Sequence, residues 1–409
     1  MSISRRGFFT AGTLLGCSLA ASPLLTPLSF AAAPWEARLV VIVLRGGMDG
    51  LDVVQPYGDR FYKALRPTLV GGPETGALDL DGFFSMHPAL APLLPLWQRQ
   101  ELGFLHAVST PYRDKRSHFD GQDLLEAGTL YPGQERSGWL NRLMQTRGGI
   151  NNRTGFAIGQ GALNLMRGSA PVAEWSPDVD LPLSPQARDL AGMLMREDPL
   201  FHAAFQEALD LAGTGLRPET GVAGTADPEG GMAMALPQQP SGSKLHQRIA
   251  EFTAQQLRQE TRIAAFSLNG WDSHSRQQRG LSAGLSRLSD VILTLRADLG
   301  PQIWSKTAVL AVTEFGRTVR ENGTKGTDHG TAGAMIMAGG AIEGGKVHGH
   351  WPGLAEADLY DRRDLMPTGD LRAGLGAVLQ GLTGVGQADL ERIVFPGLDM
   401  AQAPRLLRA

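Results

Sequence analysis

The sequence predicts an α/β fold, a doubly wound and mostly parallel sheet with helices on both faces. Three observations carry that prediction. Residues 38–44, Arg-Leu-Val-Val-Ile-Val-Leu, form an unbroken apolar and largely β-branched run. Such a run is the mark of a strand buried on both faces, hence of a central strand in a parallel sheet. Similar runs of strand length recur at 262–268, 307–313 and 334–338. Between them lie segments with apolar residues at helical spacing, 244–259 and 281–299. Strand–helix–strand alternation of this kind folds as a sheet covered on both sides.

The elements follow in chain order. Ser4-Arg5-Arg6-Gly7-Phe8-Phe9 sets an arginine pair before large apolar residues, the address read by the twin-arginine export machinery. A moderately apolar stretch broken by Gly12, Gly16, Pro23 and Pro27 leads to Ala31-Ala32-Ala33. Charged, apolar and small segments in that order read as a removable signal peptide over residues 1–31. The prolines and glycines disfavour a membrane anchor, and cleavage after Ala31 keeps Pro34 away from the cut bond. Leu14-Leu15-Gly16-Cys17 also fits a lipoprotein cleavage box with Cys17 as the lipidated residue. Cys17 is the only cysteine, so a chain cut after Ala31 carries neither a disulfide nor a thiolate metal site. The expectation is a periplasmic or secreted protein, with the export machinery as a partner and no membrane span in the mature form.

Residues 32–409 read as one α/β domain. A helix at 88–98 precedes a second candidate strand at 101–108. Helices are expected at 119–126, at 189–213 and, closing the domain, at 371–382. Residues 215–243 are mostly Gly, Pro, Thr and Gln with little to bury, which reads as a flexible excursion or linker. The net charge of −3, without a basic stripe, argues against nucleic acid as a partner. The 52 glycines suit a loop-rich enzyme better than a helical bundle, and no internal repeat is present.

In open α/β sheets ligands bind beyond the carboxyl ends of the strands, which selects the polar residues to weigh. Just past the strands come Asp49 and Asp52, then Asp272 and His274, then Glu314 and Arg317; Asp328-His329 directly precedes the strand at 334–338. Asp, Glu and His without Cys suit Zn²⁺, Mn²⁺, Mg²⁺ or Ca²⁺. The metal candidates are therefore Asp49, Asp272, His274, Glu314, Asp328 and His329. Taken singly, an Asp-Ser-His triplet is more often a turn with a surface histidine. Ser117-His118 before a helix is a cap by default. A helix start also stabilises anionic oxygen, and Arg113, Lys115 and Arg116 alongside favour an anionic group.

The ordered set Leu44-Arg45-Gly46-Gly47-Met48-Asp49-Gly50, Arg116-Ser117-His118-Phe119, Gly270-Trp271-Asp272-Ser273-His274, Thr313-Glu314-Phe315-Gly316-Arg317-Thr318 and Thr327-Asp328-His329-Gly330 resembles a large bacterial family of secreted proteins of unknown function. That family is grouped by fold with the alkaline phosphatase, sulfatase and cofactor-independent phosphoglycerate mutase superfamily. The resemblance implies a two-metal site at the strand ends. It puts Asp49 in the place of a first-strand metal aspartate, and Ser117 in the place of the superfamily nucleophile. Asp272, His274 and His329 fall near metal positions, while Glu314 stands where an Asp-His pair is expected. The missing histidine there removes a ligand from the second metal.

The residues and the resemblance together give an exported hydrolase of phosphate or sulfate esters. Ser117 is the candidate nucleophile, His118 a proton carrier or ligand, and Arg116 and Arg317 the holders of the anion. The competing reading is a non-catalytic relative that binds a glycan, an envelope polymer or a partner protein.

Overall fold

The computed structural model describes residues 33, 35–69, 71–113, 115–159, 163–176 and 245–408. The expected signal peptide with Cys17, the helix expected at 189–213 and the excursion expected at 215–243 lie outside the described residues.

Among the described residues the strands are β1 (Arg38–Arg45), β2 (Val54–Gln55), β3 (Leu78–Asp79), β4 (Ser85–Met86), β5 (Leu102–Ser109), β6 (Gly155–Ile158), β7 (Ala173–Trp175), β8 (Ile263–Asn269), β9 (Thr307–Val312), β10 (Gly333–Ala338), β11 (Val347–His348) and β12 (Gly369–Asp370). The main sheet runs β11-β5-β10-β9-β1-β8-β6-β7, with β12 also paired to β5; β2, β4 and β3 form a small separate sheet. β1 lies parallel to β8 and β9, and β6 is parallel to β8. β10 is antiparallel to both β9 and β5. The sheet is thus mixed but mostly parallel, and the four apolar runs that predict strands sit side by side as β10-β9-β1-β8.

Side chains alternate across a strand, and β1 shows what that does here. Val40, Ile42 and Leu44 face one core with Leu285, Leu288 and Ile292 of helix α5 (Gln277–Trp304) and Ile249 and Phe252 of α4 (Leu245–Leu257). Leu39, Val41 and Val43 face the other core, with Leu140 and Leu143 of α3 (Trp139–Gln145) and Val378 and Leu379 of α6 (Leu371–Thr383). No β1 residue from Leu39 to Leu44 is more than 1% exposed. Both faces are therefore covered, which is why the run reads as continuously apolar rather than alternating.

Two helices differ from their expected form for local reasons. The segment expected at 88–98 divides into a 3₁₀ stretch, Pro88–Leu93, and a short α-helix, α1 (Leu94–Gln98). Pro92 inside the first piece has no N–H to give an α-helical bond. α5 extends beyond 281–299 at both ends, with a break where Gly300 takes φ +66° before Pro301. No described helix is long and apolar enough to cross a membrane.

Strand direction decides what meets at the edge. β1, β5, β8 and β9 run the same way and end there at Arg45, Ser109, Asn269 and Val312. β10 runs oppositely and begins there at Gly333. Five loops converge in consequence: 46–49, 110–117, 270–276, 313–317 and 326–332.

Candidate metal centre

The backbone of this edge is close-packed before any side chain is considered. Gly46 takes φ +126°, and a Cβ on it would lie 2.5 Å from the Asp272 backbone nitrogen. A Cβ on Gly326 would lie 2.4 Å from the His274 carbonyl carbon. Only glycine lets the 46–49 and 326–332 loops press against the 270–276 loop. Arg317 then ties the three together. Its side chain is fully buried and donates to the carbonyls of Gly46, Gly47, Trp271 and Thr327. It also donates to Asp272 Oδ1 at 2.6 Å.

Around Asp272 stand three imidazoles. His118 opens helix α2 (His118–Ala127), His274 follows β8, and His329 precedes β10. Each is held through Nδ1. His118 Nδ1 lies 2.8 Å from Glu314 Oε1, His274 Nδ1 lies 3.2 Å from Asp328 Oδ1, and His329 Nδ1 lies 2.8 Å from the Arg116 carbonyl oxygen. All three Nδ1 partners are acceptors, which suits a proton on Nδ1 of each ring, and Nε2 is the nitrogen turned toward Asp272. A carboxylate or carbonyl holding the far nitrogen of a histidine is the usual support behind a metal ligand.

The inward atoms converge. His274 Nε2 is 3.0 Å from Asp272 Oδ1 and 2.9 Å from His329 Nε2. His329 Nε2 is 3.4 Å from Asp272 Oδ1, and His118 Nε2 is 3.5 Å from Asp272 Oδ2. His118, Asp272 and His329 each offer a donor atom within 4.8 Å of the others. His118 Nε2 is buried and has no hydrogen-bond partner. A tetrahedral site with bonds of about 2.0–2.1 Å sets its donor atoms roughly 3.3 Å apart, so His118, Asp272 and His329 have the scale and the donor chemistry for one divalent ion, with His274 beside them. Phe315 forms an apolar wall, with its ring centre 5.0 Å from that of His118 and 4.9 Å from that of His329.

The electrostatics agree with this division of labour. Burial pushes the Asp272 carboxyl upward, but the hydrogen bond and charge of Arg317, with His274 and His118, outweigh it and hold the group ionised below its usual range. Burial likewise raises Glu314, and bonds from His118, Gln122 and Gly46 reverse the shift. The Glu314 bond in turn raises His118 against its partial burial. Burial lowers His329 and the nearby Arg317 lowers it further, while its bond to the Arg116 carbonyl acts the other way.

Several residues singled out from the sequence take other places. Asp49 is fully buried and salt-bridged to Arg66 at 2.6 Å, while Gln277 Nε2 donates to it, also at 2.6 Å. Its carboxylate serves the interior and not the histidine cluster. Glu314 is filled by His118, by Gln122 at 3.1 Å and by Gly46 N–H at 2.9 Å, with Thr313 on its second oxygen. Its carboxylate holds the His118 ring and does not face the cluster itself. Asp328 does the same for His274. Arg317 is not an anion holder, because its donors are spent on carbonyls and Asp272. Arg116 is exposed, takes φ +53° and offers its carbonyl to His329. Ser117 caps α2, its Oγ accepting the Asp120 N–H over 3.5 Å.

Sequence reasoning missed Arg66 and Gln277. Gln277 Nε2 bridges Asp49 and Asp52, and its Oε1 accepts from Ser273 and Thr327. It links the buried carboxylates to the residues flanking Asp272 and Asp328. Neither residue belongs to a recognisable pattern; only the folded chain brings them in.

The fold and the cluster define a class: an α/β-sheet protein with a histidine and carboxylate centre at the carboxyl edge of its parallel strands. Residues 116–393 match the family described as "Protein of unknown function (DUF1501)", and the chain belongs to that family. No curated protein matches the chain. Among solved structures it is similar to the lipoteichoic acid synthase LtaP from Listeria monocytogenes, at 9% identity and TM-score 0.39, covering 91% of this chain and 78% of that one. It is also similar to a TAB5 alkaline phosphatase mutant with Mg bound, at 9% identity and TM-score 0.31, covering 75% of this chain and 91% of that one.

Proposed function

We propose that the protein is an exported, metal-dependent hydrolase of phosphate or sulfate esters, with one divalent ion held by His118, Asp272, His274 and His329. The observation that carries this reading is the common arrangement of the three histidines, each fixed through Nδ1 with Nε2 turned toward Asp272. Zinc suits three imidazoles and a carboxylate best. A bound divalent ion supplies a Lewis acid for the ester oxygen.

The chain's own residues do the rest. Arg317 fixes Asp272 so that Oδ2 faces His118. Glu314 and Asp328 hold the rings of His118 and His274 and raise their basicity as ligands. Arg116, exposed and next to Ser117, is the guanidinium we assign to an anionic ester arriving from the solvent side. Ser117 precedes the ligand His118, and its long capping bond leaves the hydroxyl free to attack.

The test of the last point separates chemistry from capping. Ser117→Ala is expected to abolish turnover on an aryl phosphate and aryl sulfate panel with bound metal unchanged. Full rate with a stability loss of about 1 kcal/mol would mean that the serine is only a cap. A purified protein that holds no stoichiometric metal and cleaves none of the panel would favour a binding role instead.

A further inference from the structure

A cleft of about 400 Å³ opens beside Gln122, whose amide donates to Glu314 next to the metal centre. Helix α2 builds one wall. Phe119, Gln122, Asp123 and Glu126 follow at i, i+3, i+4 and i+7, which puts them on one helical face, while His118 at the head of the same helix serves the metal centre. The ends of β1, β6 and β8 supply Arg45, Ile158, Ser267 and Asn269.

The charge of this lining is wrong for an anion. Arg45 is its only cation, and that guanidinium is bound to Glu126 at 2.6 Å and to Gln122 at 2.8 Å. Asp123 adds a second carboxylate. The phosphate or sulfate end of an ester is therefore repelled from the cleft, which leaves that end to the metal centre and Arg116. What the cleft offers is different chemistry: hydroxyl and amide groups on Ser267, Asn164 and Asn269, carboxylate oxygen on Asp123, and one aromatic face. Phe119 is 89% exposed, so its ring face is open to a ligand at the rim of this polar cleft. A sugar ring matches both halves of this surface. Its C–H face stacks on an aromatic ring, and its hydroxyls both donate to carboxylate and amide oxygen and accept from amide N–H.

We infer that this cleft binds a neutral sugar residue, the alcohol portion of the ester whose anionic group meets the metal centre. The assignment to a substrate rests on the hydrolase reading above; the binding site itself does not. Saturation-transfer NMR and calorimetry on the metal-loaded protein test it with a panel of methyl pentosides, methyl hexosides and short oligomers of glucose, galactose and N-acetylglucosamine. At least one neutral sugar is expected to bind, with transfer strongest to the ring C–H protons that stack on Phe119. Phe119→Ala and Asn269→Ala should each weaken that binding by about tenfold or more with bound metal unchanged. A panel with no binder, or binding that both variants leave intact, overturns the proposal. Sugar binding that disappears in Phe119→Ala, in a protein that takes up no metal, would sustain the cleft and refute the hydrolase.

Discussion

Residue by residue, the cluster is a set of side chains whose second contacts decide their role. Asp49 and Asp272 both leave strand ends as aspartates, and the sequence offers no means of telling them apart. The difference is the partner. Asp272 receives Arg317 on one oxygen and keeps the other toward His118. Asp49 has both oxygens taken up by Arg66, a partner from a loop that carries no motif. Removing one member of a buried ion pair strands the other charge, which costs about 3–5 kcal/mol. Arg66→Ala is accordingly expected to lower unfolding stability by that amount in urea, and a loss below about 1 kcal/mol would show that Asp49 is not held as described. His274 and His329 were legible because each adjoins a strand. His118 was visible only as a neighbour of Ser117, since a helix start gives no hint that its ring meets a residue after β8.

Among the elements, the long apolar strands declared themselves and the short ones did not. β6 and β7, Gly155–Ile158 and Ala173–Trp175, are too brief to leave a period; β6 forms on the edge that β8 offers, and β7 on the edge of β6. The direction of β10 was equally hidden, because a six-residue apolar run is the same read either way. β5 carries a buried consequence of its own. His106 accepts the Ala107 N–H on Nδ1 and contacts the Val54 carbonyl through Nε2, so the ring is neutral. Burial lowers its pKa from 6.5 to about 4. Between those values the unfolded chain binds a proton that the folded chain refuses, so stability rises with pH there. The stability contributed is present in full above pH 6.5 and is lost as pH falls toward 4, by at most about 3 kcal/mol. Denaturant midpoints measured across that window should drop as pH is lowered, and His106→Gln should flatten the His106 share of the slope. An unchanged slope would place the titration elsewhere.

For the whole molecule, the sheet does one thing for function: it aims five loops from distant parts of the chain at one edge. That convergence was readable in advance because the carboxyl ends of parallel strands must share an edge. The division of the converging residues into ion-facing and supporting ones was not, because it depends on distances of an ångström set by glycine contacts and by Arg317. A cavity built this way should exist largely before the ion arrives, since Arg317, Glu314 and Asp328 hold the donors through bonds within the chain. Adding zinc to chelator-treated protein is therefore expected to raise the melting temperature in a concentration-dependent way, without a change in secondary structure by circular dichroism. A chain that gains helix or strand only on adding metal would contradict a preformed centre.

The most direct test of the account is the metal stoichiometry of the purified protein and of its His329→Ala variant, measured by elemental analysis after exhaustive dialysis. His329 is no part of the hydrophobic core, so the variant should fold. About one equivalent of a divalent ion is expected, zinc when zinc is supplied, with a loss of at least tenfold in affinity for the variant. An equal and negligible metal content in both proteins, with full folding, would contradict it.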